Sequence, residues 1–331
     1  MFHGDIEPHV ARGLQILRER IDEEGIPPSK LDESLNIATW NIRDFGKEKS
    51  GNLRSEAAIH YIAEIMYQFD LIAITELRDN LSDLRRVMDI LGPYWQVVFS
   101  DFNSDRAGNR ERVGYLFDKR AAVFTGLAAE AEPPRKKNPE TGDYESTIEW
   151  WRSPYMASFR AGNFDFTLLT AHIRWGSGAS ARIKPLKTLA KWIDKRQRDR
   201  HVFDKDILVM GDFNIPKVDD DLFDAITSKG LAIPRGLRGT DHGSNLARTK
   251  HYDQILHHPR HTNLENSVGG ILDFYRGNWR DLFPQAHYPD MSKTDFTYQL
   301  SDHLPLWIQI DTWTEDEELD QILNPPPGGA G

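Results

Sequence analysis

Residues 207–214 read Ile-Leu-Val-Met-Gly-Asp-Phe-Asn: four apolar residues, a glycine, then Asp212 and Asn214. A continuous apolar run this short, bounded by polar turns, predicts a strand buried on both faces. The polar residues at its end sit where a rigid sheet can aim them into a cleft. The same arrangement recurs along the chain. Leu71–Thr75 is apolar and ends at Glu76, Phe164–Ala171 ends at His172, and Leu35–Trp40 ends at Asn41. Ser301-Asp302-His303 directly precedes the apolar run Leu304–Ile310.

Around these runs the chain alternates strand and helix patterns. Helix periods are read at Val10–Ile21, Ala57–Phe69, Leu81–Leu91, Ala181–Arg200 and Leu222–Ser228. Further strands are predicted at Trp95–Phe99, Val113–Phe117, Ala121–Thr125, Tyr155–Arg160 and Tyr252–His257. Glu130–Asp143 reads as a polar excursion and Gly236–Lys250 as a loop. Strands outnumber helices, and hairpin-like pairs mix with helical crossovers. The fold class that follows is α/β, a sandwich of two packed mixed sheets flanked by helices. Residues 1–34 are read as an N-terminal helical extension, 35–311 as the main domain, and 312–331 as an acidic, then Pro/Gly-rich tail.

Composition narrows the chemistry. The chain has 331 residues, 39% hydrophobic and 28% charged, with a net charge of −10 and no cysteine. That excludes disulfides, thiolate nucleophiles, Cys-ligated zinc and iron–sulfur clusters. Any metal must use oxygen or imidazole ligands. The missing signal-type apolar run and the missing cysteines favour a cytoplasmic setting, and no segment is apolar enough for a membrane span. The negative charge argues against a polycation that coats nucleic acid, although divalent cations can supply positive charge at a site.

Taken singly, Glu76 or Asp302 would read as a cap or surface charge, His172 as a structural histidine and Asn214 as a turn residue. Their joint occurrence at five strand ends carries the argument. Carboxylates, carboxamides and imidazoles at successive strand ends are what a hard divalent cation and an adjacent proton-transfer group require.

These segments resemble the endonuclease/exonuclease/phosphatase superfamily, most closely its deoxyribonuclease I branch. The resemblance runs through Asn36–Gly46, Asp70–Asp79, Arg110–Phe117, Trp151–Pro154, Leu168–His172, Leu208–Asn214, Tyr252–Leu256 and Ser301–Pro305, in the family's order. It implies a four-layer α/β sandwich and a metal-dependent phosphodiesterase that cuts DNA internally, leaving 5′-phosphate and 3′-hydroxyl ends. It further implies that Glu76, with Asn41 and Asp302, holds a Mg²⁺-type ion, with Mn²⁺ or Ca²⁺ as alternatives. Asp212 and Asn214 would orient the attacking water and the phosphate. His303 paired with Asp253 would be a general base, and His172 paired with Glu111 would serve the leaving oxygen. Arg152 would sit near the scissile phosphate, and Arg43 and Arg78 would reach a DNA groove. The implied partner is nucleic acid, double-stranded DNA first, with no membrane and no protein partner inferred.

The pattern also departs from the family. Asn109 stands where the deoxyribonuclease I branch has a sugar-packing tyrosine, and Arg43 stands where abasic-site endonucleases have an acidic residue. A phosphomonoesterase or a lipid-headgroup phosphodiesterase on the same scaffold is the alternative, and a non-catalytic binding module a further one. Trp150, Trp151 and Trp175 are the exposed-looking aromatics, candidates for the membrane insertion a lipid-headgroup enzyme needs and more readily read as core or as substrate wall. The basic helix Ala181–Arg200 reads either as a phosphate-tracking ridge, on which the acidic tail could dock, or as a solvated face. His257-His258 and His261 suggest a metal group, but their position after a strand, with Pro259 between, reads more readily as a surface loop.

Overall fold

The sheet that carries residues 207–212 is buried on both sides, and that burial shapes the molecule. The computed structural model describes residues 1, 3–46, 54–102, 110–147, 150–176, 178–239, 241–313, 319 and 323. Asn109 and nearly all of the acidic tail lie outside the described residues. In chain order the main elements are α1 (Pro8–Glu23), β1 (Ser34–Phe45), α2 (Glu56–Met66), β2 (Leu71–Leu77), α3 (Ser82–Leu91), β3 (Trp95–Phe99) and β4 (Arg112–Asp118). There follow β5 (Val123–Glu130), the small hairpin β6 (Arg135–Lys137) and β7 (Tyr144–Ser146), β8 (Tyr155–Ala161), β9 (Phe164–His172), α4 (Ser180–Arg198) and β10 (Ile207–Asp212). The chain closes with α5 (Asp221–Thr227), β11 (Asp253–Leu256), β12 (Val268–Ile271), α6 (Lys293–Gln299) and β13 (Leu306–Asp311).

Six strands form one sheet in the order β12-β13-β1-β2-β4-β3, and five form the other, β11-β10-β9-β8-β5. Both are mixed. β1 runs parallel to β2, and β9 parallel to β10, while their outer neighbours are antiparallel. This is the α/β sandwich of two flanked sheets.

Side-chain alternation explains the unbroken apolar runs. On β9 and β10, Phe166, Leu168, Leu208 and Met210 face the core between the sheets. Their neighbours Leu169, Ala171, Ile207 and Val209 face a second core under α4 and α5. Successive residues on a strand point to opposite faces, so a strand between two apolar layers needs no polar positions. Inside the sandwich the Tyr115 hydroxyl, fully buried, donates to the Tyr155 and Leu168 carbonyls of the opposite sheet.

The N-terminal helix is fastened to this body. Val10, Leu14, Leu17 and Ile21 join the central core. Gly13 lets α1 approach α2 closely, because a Cβ there would lie 1.8 Å from the Tyr61 hydroxyl. Arg18 makes a two-pronged bond to Glu64 at 2.8 and 2.9 Å, and His3 reaches the same carboxylate at 2.8 Å. Buried Arg20 donates to the Phe274 and Asn278 carbonyls.

Three elements escape the sequence reading. The β6–β7 hairpin spans the polar excursion, β12 contains Gly269 and Gly270, and α6 is a seven-residue helix started by a Ser292/Asp295 capping box. Among the described residues no helix is long and apolar enough to cross a membrane.

Candidate active site

The two parallel strand pairs end on the same side of the sandwich, which is where ligands collect in α/β sheets. Strand register does the first part of the placement. Asn41 pairs with Thr75, one residue before Glu76, while Asp212 lies opposite His172 on one side and Asp253 on the other. Gly211 is required here. Its φ is +127°, and a Cβ would sit 2.2 Å from the Ala171 carbonyl.

Backbone strain gathers at these strand ends. Glu76, Asp44 and Asn214 all hold positive φ (61°, 47° and 53°), a conformation costly for residues other than glycine. The bonds that hold them are explicit. The Asp44 amide donates to Glu76 Oε2 at 2.8 Å, and the Asn214 amide donates to Asp212 Oδ1 at 2.8 Å. Asn214 Nδ2 donates to the Ile173 carbonyl at 2.7 Å. Behind them the fully buried Arg54 guanidinium donates to the carbonyls of Arg43, Asp44 and Gln299 and pairs with Asp83. Burial lowers its pKa to about 10, against the pull of Asp83.

The functional side chains line one cleft of about 710 Å³. Asn41 is its hub. Its Nδ2 donates to Glu76 Oε1 at 3.2 Å and to Asp212 Oδ2 at 3.0 Å, so one carboxamide ties a carboxylate of each sheet. Its Oδ1 is buried without a hydrogen-bond partner among the described residues. Two imidazole–carboxylate pairs flank the hub. His303 Nδ1 lies 2.6 Å from Asp253 Oδ2, and His172 Nδ1 lies 2.9 Å from Glu111 Oε2. His172 Nε2 is 3.5 Å from Asp212 Oδ2. Ser301 positions the last segment, donating to the Asn41 carbonyl at 2.6 Å and accepting from the His303 amide.

These pairs reset the titration of their members. Burial works against a charged His303, but Asp253, with Asp212 and Asp302 beyond it, raises its pKa to about 10. His172 is also raised: burial and Arg152 oppose its charge, and Glu111 and Asp212 outweigh them. Burial alone would raise Glu111, yet His172, Arg152 and Arg78 bring it down to about 2. Glu76 moves the other way, held up by burial.

All twelve residues singled out in the sequence stand at this place: eleven line the cleft, and the twelfth, Asp253, is buried behind His303. The arginines differ in posture. Arg78 and Arg152 fold back onto Glu111, at 3.2 and 2.6 Å, and both are largely buried. Arg43 is more open, 3.5 Å from the half-exposed Asp302 and 4.0 Å over the Tyr298 ring. The basic helix divides its cations. Arg182 is buried and turns to Trp175, whereas Lys191 and Lys195 line a separate groove of about 830 Å³ with Trp192 and Phe203. Trp175, readable from sequence as core or substrate wall, lines the cleft, and five further lining residues carried no sequence assignment: Asp44, Arg174, Gly176, Tyr252 and Tyr298. Tyr252 precedes Asp253 and Arg174 follows His172 closely, so motif neighbours would have pointed to them. Tyr298 lies on α6, an unpredicted helix, and carried no such signal.

Chemically, the cleft holds buried acceptors with a shortage of positive partners at one end. The orphaned Asn41 oxygen and the raised Glu76 carboxyl both fit a hard divalent cation. Among the described residues no three His, Asp or Glu side chains form a closed cage.

Comparison with known proteins agrees with this arrangement. Residues 38–303 match the pattern of the Endonuclease/Exonuclease/phosphatase family. Deoxyribonuclease-1 of Bos taurus is 27% identical over 200 residues, covering 56% of this chain and 62% of its own length. The chain thus spans less than two thirds of that relative. A mannosyl-6-phosphatase of Bacteroides thetaiotaomicron superposes with a TM-score of 0.53 at 17% identity, over 83% of this chain and 99% of its own. D. rerio TDP2 complexed with single strand DNA product gives 0.51 at 13% identity, over 83% and 98%. Those two structures speak for the fold, and the match over most of the chain speaks for descent: the protein belongs to the Endonuclease/Exonuclease/phosphatase family of phosphoester hydrolases.

Proposed function

We propose that the protein is a divalent-metal-dependent phosphodiesterase that cuts DNA internally. One observation carries the reading: two imidazole–carboxylate pairs, His303–Asp253 and His172–Glu111, stand on either side of a carboxamide that bridges Glu76 and Asp212. A phosphodiester is anionic and repels a nucleophile, so its hydrolysis needs charge neutralisation, a placed water and a proton for the departing oxygen.

Asn41, Glu76 and Asp302 would hold the cation, Mg²⁺ being the choice that suits an open oxygen site. When bound, the ion supplies Lewis-acid polarisation of a phosphate oxygen and neutralises charge. The remaining work belongs to the chain. Asp212, fixed by Asn41 and the Asn214 amide, orients water in line with the phosphorus. Asp253 fixes the His303 tautomer so that Nε2 faces the cleft as the proton acceptor. Positive charge entering the cleft disfavours the imidazolium and favours the neutral form a base requires. His172, raised by Glu111, carries the proton for the leaving oxygen. Arg152 and Arg43 neutralise the flanking phosphates.

The test is plasmid nicking with Mg²⁺ or Mn²⁺, with and without EDTA. It is run beside phosphate release from nucleotides, sugar phosphates and inositol phosphates. Metal-dependent nicking lost on His303→Ala is the expected result. Phosphate release without nicking would replace the phosphodiesterase with a phosphomonoesterase, and inactivity on every substrate would leave a binding module.

A further inference from the structure

Trp175 is the most exposed aromatic side chain in the cleft, with 52% of its surface open. An indole in that position on a mobile loop would mean little, but this one is braced. Arg182, itself buried in the first turns of α4, donates from Nη1 to the Trp175 carbonyl at 3.1 Å and lays its guanidinium 4.4 Å from the ring centroid. From the other direction Tyr252 meets the indole edge-to-face, with centroids 5.5 Å apart at 89°. Tyr252 in turn packs 5.7 Å from the His303 ring. A solvent-facing aromatic is therefore connected by two ring contacts to the proposed base.

The theme recurs at two further arginines of the cleft. Arg174 lies 3.4 Å over the Trp151 ring and, among the described residues, makes no ion pair. Arg43 lies over Tyr298. Flat aromatic surfaces alternating with arginines are the means by which proteins hold unpaired nucleotides, with bases stacked on rings and phosphates on guanidinium groups. A base in an intact duplex has both its faces covered and cannot use such a surface.

We propose that Trp175, supported by Tyr252 and Arg182, is a stacking platform for one unpaired nucleobase next to the phosphate at His303. The substrate class is then DNA with a single-stranded or frayed segment at the cut. This inference rests on the nucleic-acid reading of the cleft and sharpens it.

The experiment measures binding without turnover. A single-stranded eight-nucleotide DNA carrying 2-aminopurine at one position, moved along the strand, is titrated with the whole protein in EDTA. The same is done with Trp175→Ala, Trp175→Phe and an oligonucleotide lacking the base at the quenched position. At one position the wild type quenches the probe, and removing that base weakens binding roughly 10- to 100-fold. Trp175→Ala loses the quenching and weakens binding by a similar factor, Trp175→Phe retains most of both, and base removal costs Trp175→Ala little more. The platform is overturned if wild type and Trp175→Ala bind and quench alike, or if base removal costs both proteins equally. It is overturned too if the wild type binds no single strand, or if mannose 6-phosphate displaces the strand in proportion to its own occupancy of the indole. A wild type that cleaves neither plasmid nor single-stranded DNA in Mg²⁺ but shows Trp175-dependent quenching removes the nuclease reading and leaves the platform standing.

Discussion

Asn41 Nδ2 and Asp212 Oδ2 are 3.0 Å apart, yet the two residues belong to different sheets and are separated by 171 positions in the chain. The contact closes the sandwich at its reactive end. Without the carboxamide, the partly buried Glu76 and the buried Asp212 carboxylates would lose their shared donor. Asn41→Ala is expected to lower kcat/KM by at least about 10²-fold and to cost about 1–3 kcal/mol of stability. Rates across a Mg²⁺ titration and urea unfolding check this. Full activity with unchanged metal dependence would remove Asn41 from the site.

The His303–Asp253 pair separates chemistry from structure. His303→Ala should reduce the rate by at least about 10²-fold, and it should also destabilise the fold by about 3 kcal/mol, because Asp253 is left buried and unpaired. The double variant His303→Ala/Asp253→Asn should recover most of the stability and none of the rate. Recovery of both together would make the pair structural. Asp212→Ala should match the rate loss of His303→Ala.

Gly211→Ala is expected to destabilise by at least about 2 kcal/mol, since the added methyl meets the Ala171 backbone in a positive-φ conformation. Gly178 is the control, with nothing within 4 Å of an added Cβ. Denaturant midpoints for the two alanine variants make the comparison, and equal midpoints would contradict the packing described here.

Stability should also respond to pH through the far end of β10. Burial, then the neighbouring Asp204, raises the Asp206 carboxyl to about 7, against the nearby Thr262 hydroxyl, which favours its charge. The folded chain thus holds this proton more tightly than the unfolded chain, whose pKa is about 3.9. Its contribution to unfolding free energy falls as pH rises from about 4 to 7 and is level above that. Asp206→Asn should raise Tm by roughly 2–4 °C at pH 8 and leave it nearly unchanged at pH 4. Thermal melts of both proteins at the two pH values test the sign; an equal shift at both would assign the effect to packing.

Much of this was legible in the chain because strands buried on both faces write themselves as apolar runs, and the residues that end them stand out. Ile207–Met210, Leu71–Thr75 and Phe164–Ala171 each announced a functional side chain in this way. The unread parts obey other rules. β12 carries Gly269 and Gly270, of which Gly269 leaves no room for a side chain, a Cβ there lying 2.6 Å from the Trp307 carbonyl of β13, so its sequence lacks strand character. The β6–β7 hairpin is exposed on both sides and has no apolar period to read. Tyr298 enters the cleft through tertiary packing of α6, which no local pattern encodes, whereas Trp175, readable as core or as substrate wall, takes its place there through Arg182 and Tyr252.

The fastening of α1 has a practical consequence for anyone trimming the chain. The family match begins at residue 38, so a truncation there looks natural on sequence grounds. It would strip an apolar stripe from α2, strand the Glu64 carboxylate without Arg18 and His3, and release two carbonyls that Arg20 now satisfies. Recombinant material cut at that boundary would be prone to self-association through the bared surface, and a poor preparation of this kind would say nothing about the enzyme itself.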